Sequence, residues 1–489
     1  MRLRRFAWVG WAAPLGAALV LLAQSCSGAR SHGQPEATAT PEADVLTLFV
    51  DGRAPEGGDG SAARPFRQLS AALLPAAPHR LVHLAAGLYP GPFLVQDGTQ
   101  LVGGSAAVLT APAGVTVLET HGSVGLTRLL LQGGTVGLLA SGALRLTDVR
   151  FSGQREGALR LGPAATLEAE RTVFEAGVSG AVGVALQGDA QATLSGCSFE
   201  GPWQRGIEAQ ANAALTLRQS SFRGAVTALH MRGGRADVSD VTIAEGRGPA
   251  LYVVGGTLHL HRVQVRGHEY ALLTSSGAVV EGEDVSSTGA DRAGVGLVKA
   301  KAHFQRLSLT AGGTFGGLQC ISSEVAVEGL LVQGVRGTGV STREGSLRLL
   351  DAVVTGTRDP DGSGGDGLQL RGGRAFLSHL TVRDAAGTCL LVAEGAEVVV
   401  SGATLERCHT AGLAVETRGH LSTSAVTVHT SEGPGAVATS EAELVLRGFR
   451  ALATDGVLWA ECANGAQVRT QDVAGLLPTL PCVEPLDTP

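Results

Sequence analysis

Asparagine is nearly missing from this 489-residue chain: only Asn212 and Asn464 are present. Lysine is as scarce, with Lys299 and Lys301 alone. Aromatic residues make up 4%, and past residue 25 there are two tryptophans, Trp203 and Trp459, and three tyrosines, Tyr89, Tyr252 and Tyr270. No repeat offers a dozen residues of helical periodicity. Each shortage excludes something. So little asparagine rules out the ladder that a leucine-rich repeat needs. The formal charge is −6, and removal of an N-terminal segment carrying Arg2, Arg4 and Arg5 takes it to −9. That balance speaks against a nucleic-acid partner. Few tryptophans and tyrosines mean few platforms for sugar rings. No CxxC pair or Cys/His cluster points to zinc. The lysine shortage, beside abundant Ala, Gly and Arg, reads as a high-GC bacterial genome and carries no functional signal.

What is present is a repeat. A small residue, an aliphatic, a variable residue and often a second aliphatic recur from Gly137 to Trp459. Examples are Ala158-Leu159-Arg160-Leu161, Ala228-Leu229-His230-Met231 and Gly412-Leu413-Ala414-Val415. The anchor aliphatics fall at Leu138, Leu159, Val184, Ile207, Leu229, Leu251, Leu272, Leu297, Leu318, Val340, Leu368, Leu390, Leu413, Ala436 and Val457. A period in the low twenties means a solenoid. Each repeat adds a second, alternating run, as in Thr257-Leu258-His259-Leu260-His261, and a third, as in Val263-Gln264-Val265. Alternation of two is the strand signal. Gly233-Gly234, Gly255-Gly256 and Gly372-Gly373 supply corners. Three short strands and three corners per repeat predict an all-β chain, a right-handed parallel β-helix. Stacked at about 4.8 Å, fifteen coils make a rod of roughly 70 Å.

Five segments follow. Residues 1–25 read as a signal peptide: a charged start, then an apolar run from Trp11 to Leu22 too short to span a membrane comfortably. Leu22-Ala23-Gln24-Ser25-Cys26 resembles the lipobox of bacterial lipoproteins, with Gln24 a departure from it. The resemblance implies that Cys26 is lipidated. An ordinary secretory cleavage near Ser25 or Ala29 stays open. Residues 26–44 are a polar tether. Ser27, in place of an aspartate, leans toward the outer membrane or cell surface, with a periplasmic or secreted protein as the alternative. Residues 45–136 hold the N-terminal cap and first coils, 137–459 the regular coils, and 460–489 a C-terminal cap rich in proline.

The opening of the domain carries a second resemblance. Leu48-Phe49-Val50-Asp51-Gly52 is followed by Gly57-Gly58-Asp59-Gly60-Ser61 and then by Pro65-Phe66. Beyond these come Leu81-Val82-His83-Leu84-Ala85-Ala86-Gly87-Leu88-Tyr89 and Leu101-Val102-Gly103-Gly104. This is similar to the start of bacterial pectate-lyase-like β-helix repeat proteins. It implies a short capping helix, with Phe66, Leu69, Ala72 and Leu73 on one apolar face. It implies little about activity, because that superfamily holds lyases, hydrolases, epimerases and binders. The dense aspartates of polygalacturonases are not found, nor are the acidic calcium ligands and arginine of pectate lyases.

Candidate sites are few. The variable residue of the anchor phrase points outward, so Glu208, His230 and Tyr252 form a vertical stack, with His259, His268 and Glu269 nearby in sequence. An acid, an imidazole and a phenol in a row suit general acid–base work, or are a mixed solvated face. Asp359, Asp361, Ser363 and Asp366 resemble a calcium loop in the 28-residue step from Val340 to Leu368, but Leu370 stands where its last acid belongs. A flexible corner loop is the other reading. Export permits disulfides: Cys462 with Cys482, and Cys389 with Cys408, are the expected pairs. Cys197 and Cys320, about five coils or roughly 24 Å apart, lie too far apart to pair. The reading is an envelope protein that binds polysaccharide or protein, or spaces them, without catalysis. The alternative is a polysaccharide lyase or glycoside hydrolase in an outer groove.

Overall fold

The computed structural model describes residues 45–74, 77–358 and 364–486. The expected signal peptide, Cys26 and the tether lie outside the described residues, as do Asp359, Asp361 and Ser363. The chain winds as a right-handed parallel β-helix. Each coil passes through three sheets in turn. The first carries the anchor phrase, the second the alternating run and the third the short closing strand. At Leu318–Gln333 and Val340–Thr355 one continuous strand runs through all three.

Register sets the anchors in one interior column: Leu138, Leu159, Val184, Ile207, Leu229, Leu251 and Leu272. The column continues through Val295, Leu318, Val340, Leu368, Leu390, Leu413, Ala436 and Leu458. Two expected anchors are thereby corrected. Leu297 pairs with Cys320, two residues along the strand, and Val457 precedes the strand that holds Leu458. A two-residue shift leaves a side chain on the same sheet face, so Leu297 is just as buried and the pattern alone did not separate it from Val295.

The small residue before each anchor has a packing cause. A Cβ on Gly206 would lie 2.6 Å from the Phe222 ring, and one on Gly339 would crowd Val354. Both clashing side chains come from the third strand of the same coil. The narrow tube admits one bulky group there. Phe151, Phe174, Phe199 and Phe222 fill that position in consecutive coils and stack at 5.2, 4.6 and 4.4 Å.

The turn from second to third strand uses one left-handed residue, and charges of opposite sign meet there. Arg171 bonds Asp148 at 2.7 Å, Arg262 bonds Asp240 at 2.5 Å, and Arg306 bonds Asp284 at 2.5 Å. These pairs are exposed and screened by solvent, so each contributes little. Burying one leucine contributes about 1.5–3 kcal/mol. The core therefore holds the rod, and the charged corners tune it.

At the N-terminal end a helix at Leu69–Leu73 buries Leu69 and Ala72 over the first coil. Phe66 lies outside that helix, in an extended bridge to Val50. Beyond Trp459 the ladder continues: Gln467–Gln471 pairs with Glu443–Arg447, and Val483–Pro485 pairs with Gln467–Gln471. Cys389 and Cys408 are bonded with Cα atoms 5.4 Å apart, closing a single coil, and Cys462 and Cys482 are bonded at the same separation. Cys197 and Cys320 are free and buried. Burial pushes their thiols to about 11 and about 12, so both stay protonated and unreactive.

Two substitutions test the packing. Gly206→Leu forces a side chain against Phe222 and is expected to cost about 1–3 kcal/mol. Phe199→Ala removes the middle of the ring stack and is expected to cost about 3–5 kcal/mol. Denaturant unfolding reads both; an unchanged midpoint for both would refute the shared-lumen account.

Candidate functional site

The first sheet holds the expected stack. Glu208 pairs with His230, and His230 with Tyr252. The imidazole lies on the phenol ring at 5.1 Å and 9°. The stack is less available than a solvated ladder would be. Arg205 Nη1 donates to Glu208 Oε1 at 2.7 Å. His230 is only 6% exposed. Burial above all, then Arg205 and Arg232, holds its imidazole below the ordinary value, against a weaker pull from Glu208. The neutral ring is the stable form. Ala185 lies beyond Glu208 and Leu273 beyond Tyr252. The column thus offers one carboxylate, already engaged, where a glycosidase needs two about 5–10 Å apart.

The neighbours in sequence disperse. His259 lies on the second sheet. His268 is buried; its Nδ1 donates to Gly248 O at 3.1 Å, and Nε2 has no partner. Glu269 pairs with Arg292 at 2.6 Å. Asp366, the one calcium-loop candidate among the described residues, accepts from Thr388 N–H at 2.8 Å.

The sequence reading missed the second sheet. A groove of about 830 Å³ runs along its outer face from Val279 to Val445. It crosses eight coils, roughly 34 Å at a strand spacing of about 4.8 Å. Alternation sends every second residue outward, and register stacks those residues into columns. One column gives Lys301, Glu324, Ser346, Arg374, Glu397, His420 and Glu443. These pair as Lys301–Glu324 at 3.0 Å, Arg374–Glu397 at 2.9 Å and His420–Glu443 at 3.1 Å. The next column gives Ala326, Arg348, Phe376, Val399, Ser422 and Val445. Phe376 and Val399 are 40% and 48% exposed, and Arg348 sits over the Phe376 ring at 5.7 Å. An apolar floor thus borders a charged rim. Aligning repeats on the second strand instead of the anchor would have revealed both columns.

At the upstream end the second column reads Asp237, His259, Glu281 and His303. His259 Nδ1 meets Asp237 at 2.6 Å, and Nε2 faces Glu281 at 3.5 Å. Burial opposes ionisation of Asp237, but hydrogen bonds from Arg235 and His259 hold its carboxyl below the usual range. Beside this row, His261, Glu283 and Asp284 bring their donor atoms within 4.8 Å of one another. Arg306 already binds Glu283 at 2.6 Å and Asp284 at 2.5 Å, so an arginine occupies the place of a metal.

No family model matches the sequence, and no curated protein matches it. Solved structures do. A GH87 α-1,3-glucanase catalytic unit from Streptomyces thermodiastaticus strain HF3-3 matches at 13% identity and TM-score 0.28, over 89% of this chain and 72% of that one. An Acinetobacter phage tailspike matches at 12% and 0.32, over 74% and 62%. A family 28 exopolygalacturonase from Yersinia enterocolitica matches at 13% and 0.23, over 79% and 76%. Likeness this distant carries no argument about activity.

The buried imidazole makes a pH prediction. The folded state holds His230 below its ordinary 6.5, so the unfolded chain binds the proton more readily. Its contribution to stability is complete above pH 6.5 and is lost as pH falls from there toward the folded value. His268, also lowered by burial, acts the same way. The His230→Gln variant should lose less stability than wild type between pH 7 and pH 5; identical losses in denaturant melts would contradict the shift.

Proposed function

We propose that this chain is an exported, lipid-anchored β-helix that binds polysaccharide along the second-sheet groove without cleaving it. The groove itself carries the reading. A sugar ring has apolar faces and hydroxyl edges. Phe376, Val399 and Ala326 offer floor to the faces, and Lys301, Glu324, Arg374 and Glu397 offer donors and acceptors to the edges. Its length suits a chain of several sugars better than a single small ligand.

The full chain on a panel of neutral and acidic polysaccharides tests this. Phe376→Ala should weaken binding about tenfold, equivalent to about 1.4 kcal/mol. Folding should change by less than about 0.5 kcal/mol, because the ring is at the surface. Unaltered binding in that variant, or no polysaccharide bound at all, would remove the groove as the site. One observation favours the alternative of a lyase or hydrolase: Glu281, the end of the Asp237–His259–Glu281 row, lines the groove. Release of reducing or unsaturated ends, abolished in Glu281→Gln, would establish it.

The anchor is tested separately. Cys26→Ala should abolish acyl labelling and release the protein from the membrane fraction; labelling that persists would point to ordinary secretion.

A further inference from the structure

Charged columns in this rod mostly alternate in sign. Arg145 lies in register with Glu168, Lys301 with Glu324 and Arg374 with Glu397. Among the described residues two register pairs place arginine on arginine. Arg343 and Arg371 share Glu394, which bonds Arg371 at 2.7 Å and lies in the field of Arg343. Among the described residues, no carboxylate is paired with Arg336 or Arg358 in this way. They form a parallel bridge at the corner between the third and first sheets. Neither guanidinium has an ion-pair partner among the described residues.

Like charges directly opposite on a ladder repel. These two line a hollow of about 300 Å³ whose wall is largely bare backbone, from Gly289, Gly312, Gly313 and Gly334. A Cβ at Gly313 would collide with Asp291 O, so the coil crossing itself demands the missing side chain. Asp291 closes the far end, two coils from Arg336, roughly 10 Å away. An anion is thereby confined to the arginine end.

We propose that Arg336 and Arg358 bind a tetrahedral oxyanion, phosphate or sulfate, either free or carried as a substituent on a larger ligand. Register puts the two arginines on adjacent coils at one wall of the hollow, and a guanidinium fork donates paired N–H groups to such an ion. An oxyanion between them accepts from both and cancels their repulsion. The hollow lies on a corner of the rod and not on the second sheet, so this inference does not depend on the groove.

The test titrates the full chain with sodium phosphate and with sodium sulfate, against sodium chloride and sodium acetate at matched ionic strength. The thermal midpoint and the heat of binding are followed. The expected result is a saturable rise with phosphate and sulfate alone, with saturation at least tenfold weaker in Arg336→Gln and in Arg358→Gln. In chloride, each variant should melt at or above wild type, because it removes a repulsion. A purely structural arginine would give the reverse. A rise that never saturates, or that is equal in the double variant, overturns the proposal, as do variants that melt lower in chloride. A sulfated polysaccharide that competes at least tenfold more tightly than free sulfate identifies a substituent as the source. Equal or weaker competition identifies the free ion. Either result keeps the arginine pair as the site.

Discussion

Vertical register between parallel coils is the constraint on which everything else depends. Backbone N–H and C=O groups along the strands are satisfied by the coils on either side, so a strand residue's neighbours above and below are fixed by hydrogen bonding before side chains are considered. A position that recurs once per coil becomes a column. Inward columns must then be apolar or small, as Leu138 through Leu458 and the glycines beside the phenylalanine stack show. Outward columns are free to vary, and function is written there.

That division explains what was legible in the sequence. Inward columns repeat, so their chemistry reads directly: the anchors, the alternating second strand and the glycine corners all predicted the fold. Of the two slips, Leu297 for Val295 occurred where both residues face inward and the pattern is degenerate, and Val457 for Leu458 is an offset of one residue at the start of the last anchor strand. Outward columns do not repeat. Glu208, His230 and Tyr252 were found because they sit beside the anchors, and their register is as expected. Their burial was not legible, because it depends on flanking side chains such as Arg205. The groove was invisible because Arg348, Phe376 and Val399 lie tens of residues apart and look unremarkable singly. Asparagine scarcity was read only as excluding another solenoid. The corners in fact use left-handed Asp and Arg, which pair across coils.

The polar surface follows a second rule. Ion pairs join adjacent coils along the rod: Arg150 to Glu175, Arg383 to Glu406, Arg407 to Asp384. Each is weak alone, but together they tie many coils to the next in the direction in which the fold grows. Departures from that rule, such as the arginine bridge and the apolar groove floor, therefore stand out against a regular background.

Both disulfides lie in the final third of the chain. A solenoid in which each coil touches only its neighbours peels one coil at a time when pulled from an end. Force entering at the N-terminal end would unwind loops in order until it met the coil tied by Cys389 and Cys408, whose 19-residue span cannot lengthen. The rod thus carries two inextensible loops near its C-terminal end, and its leading coils have none, so they have more length to yield.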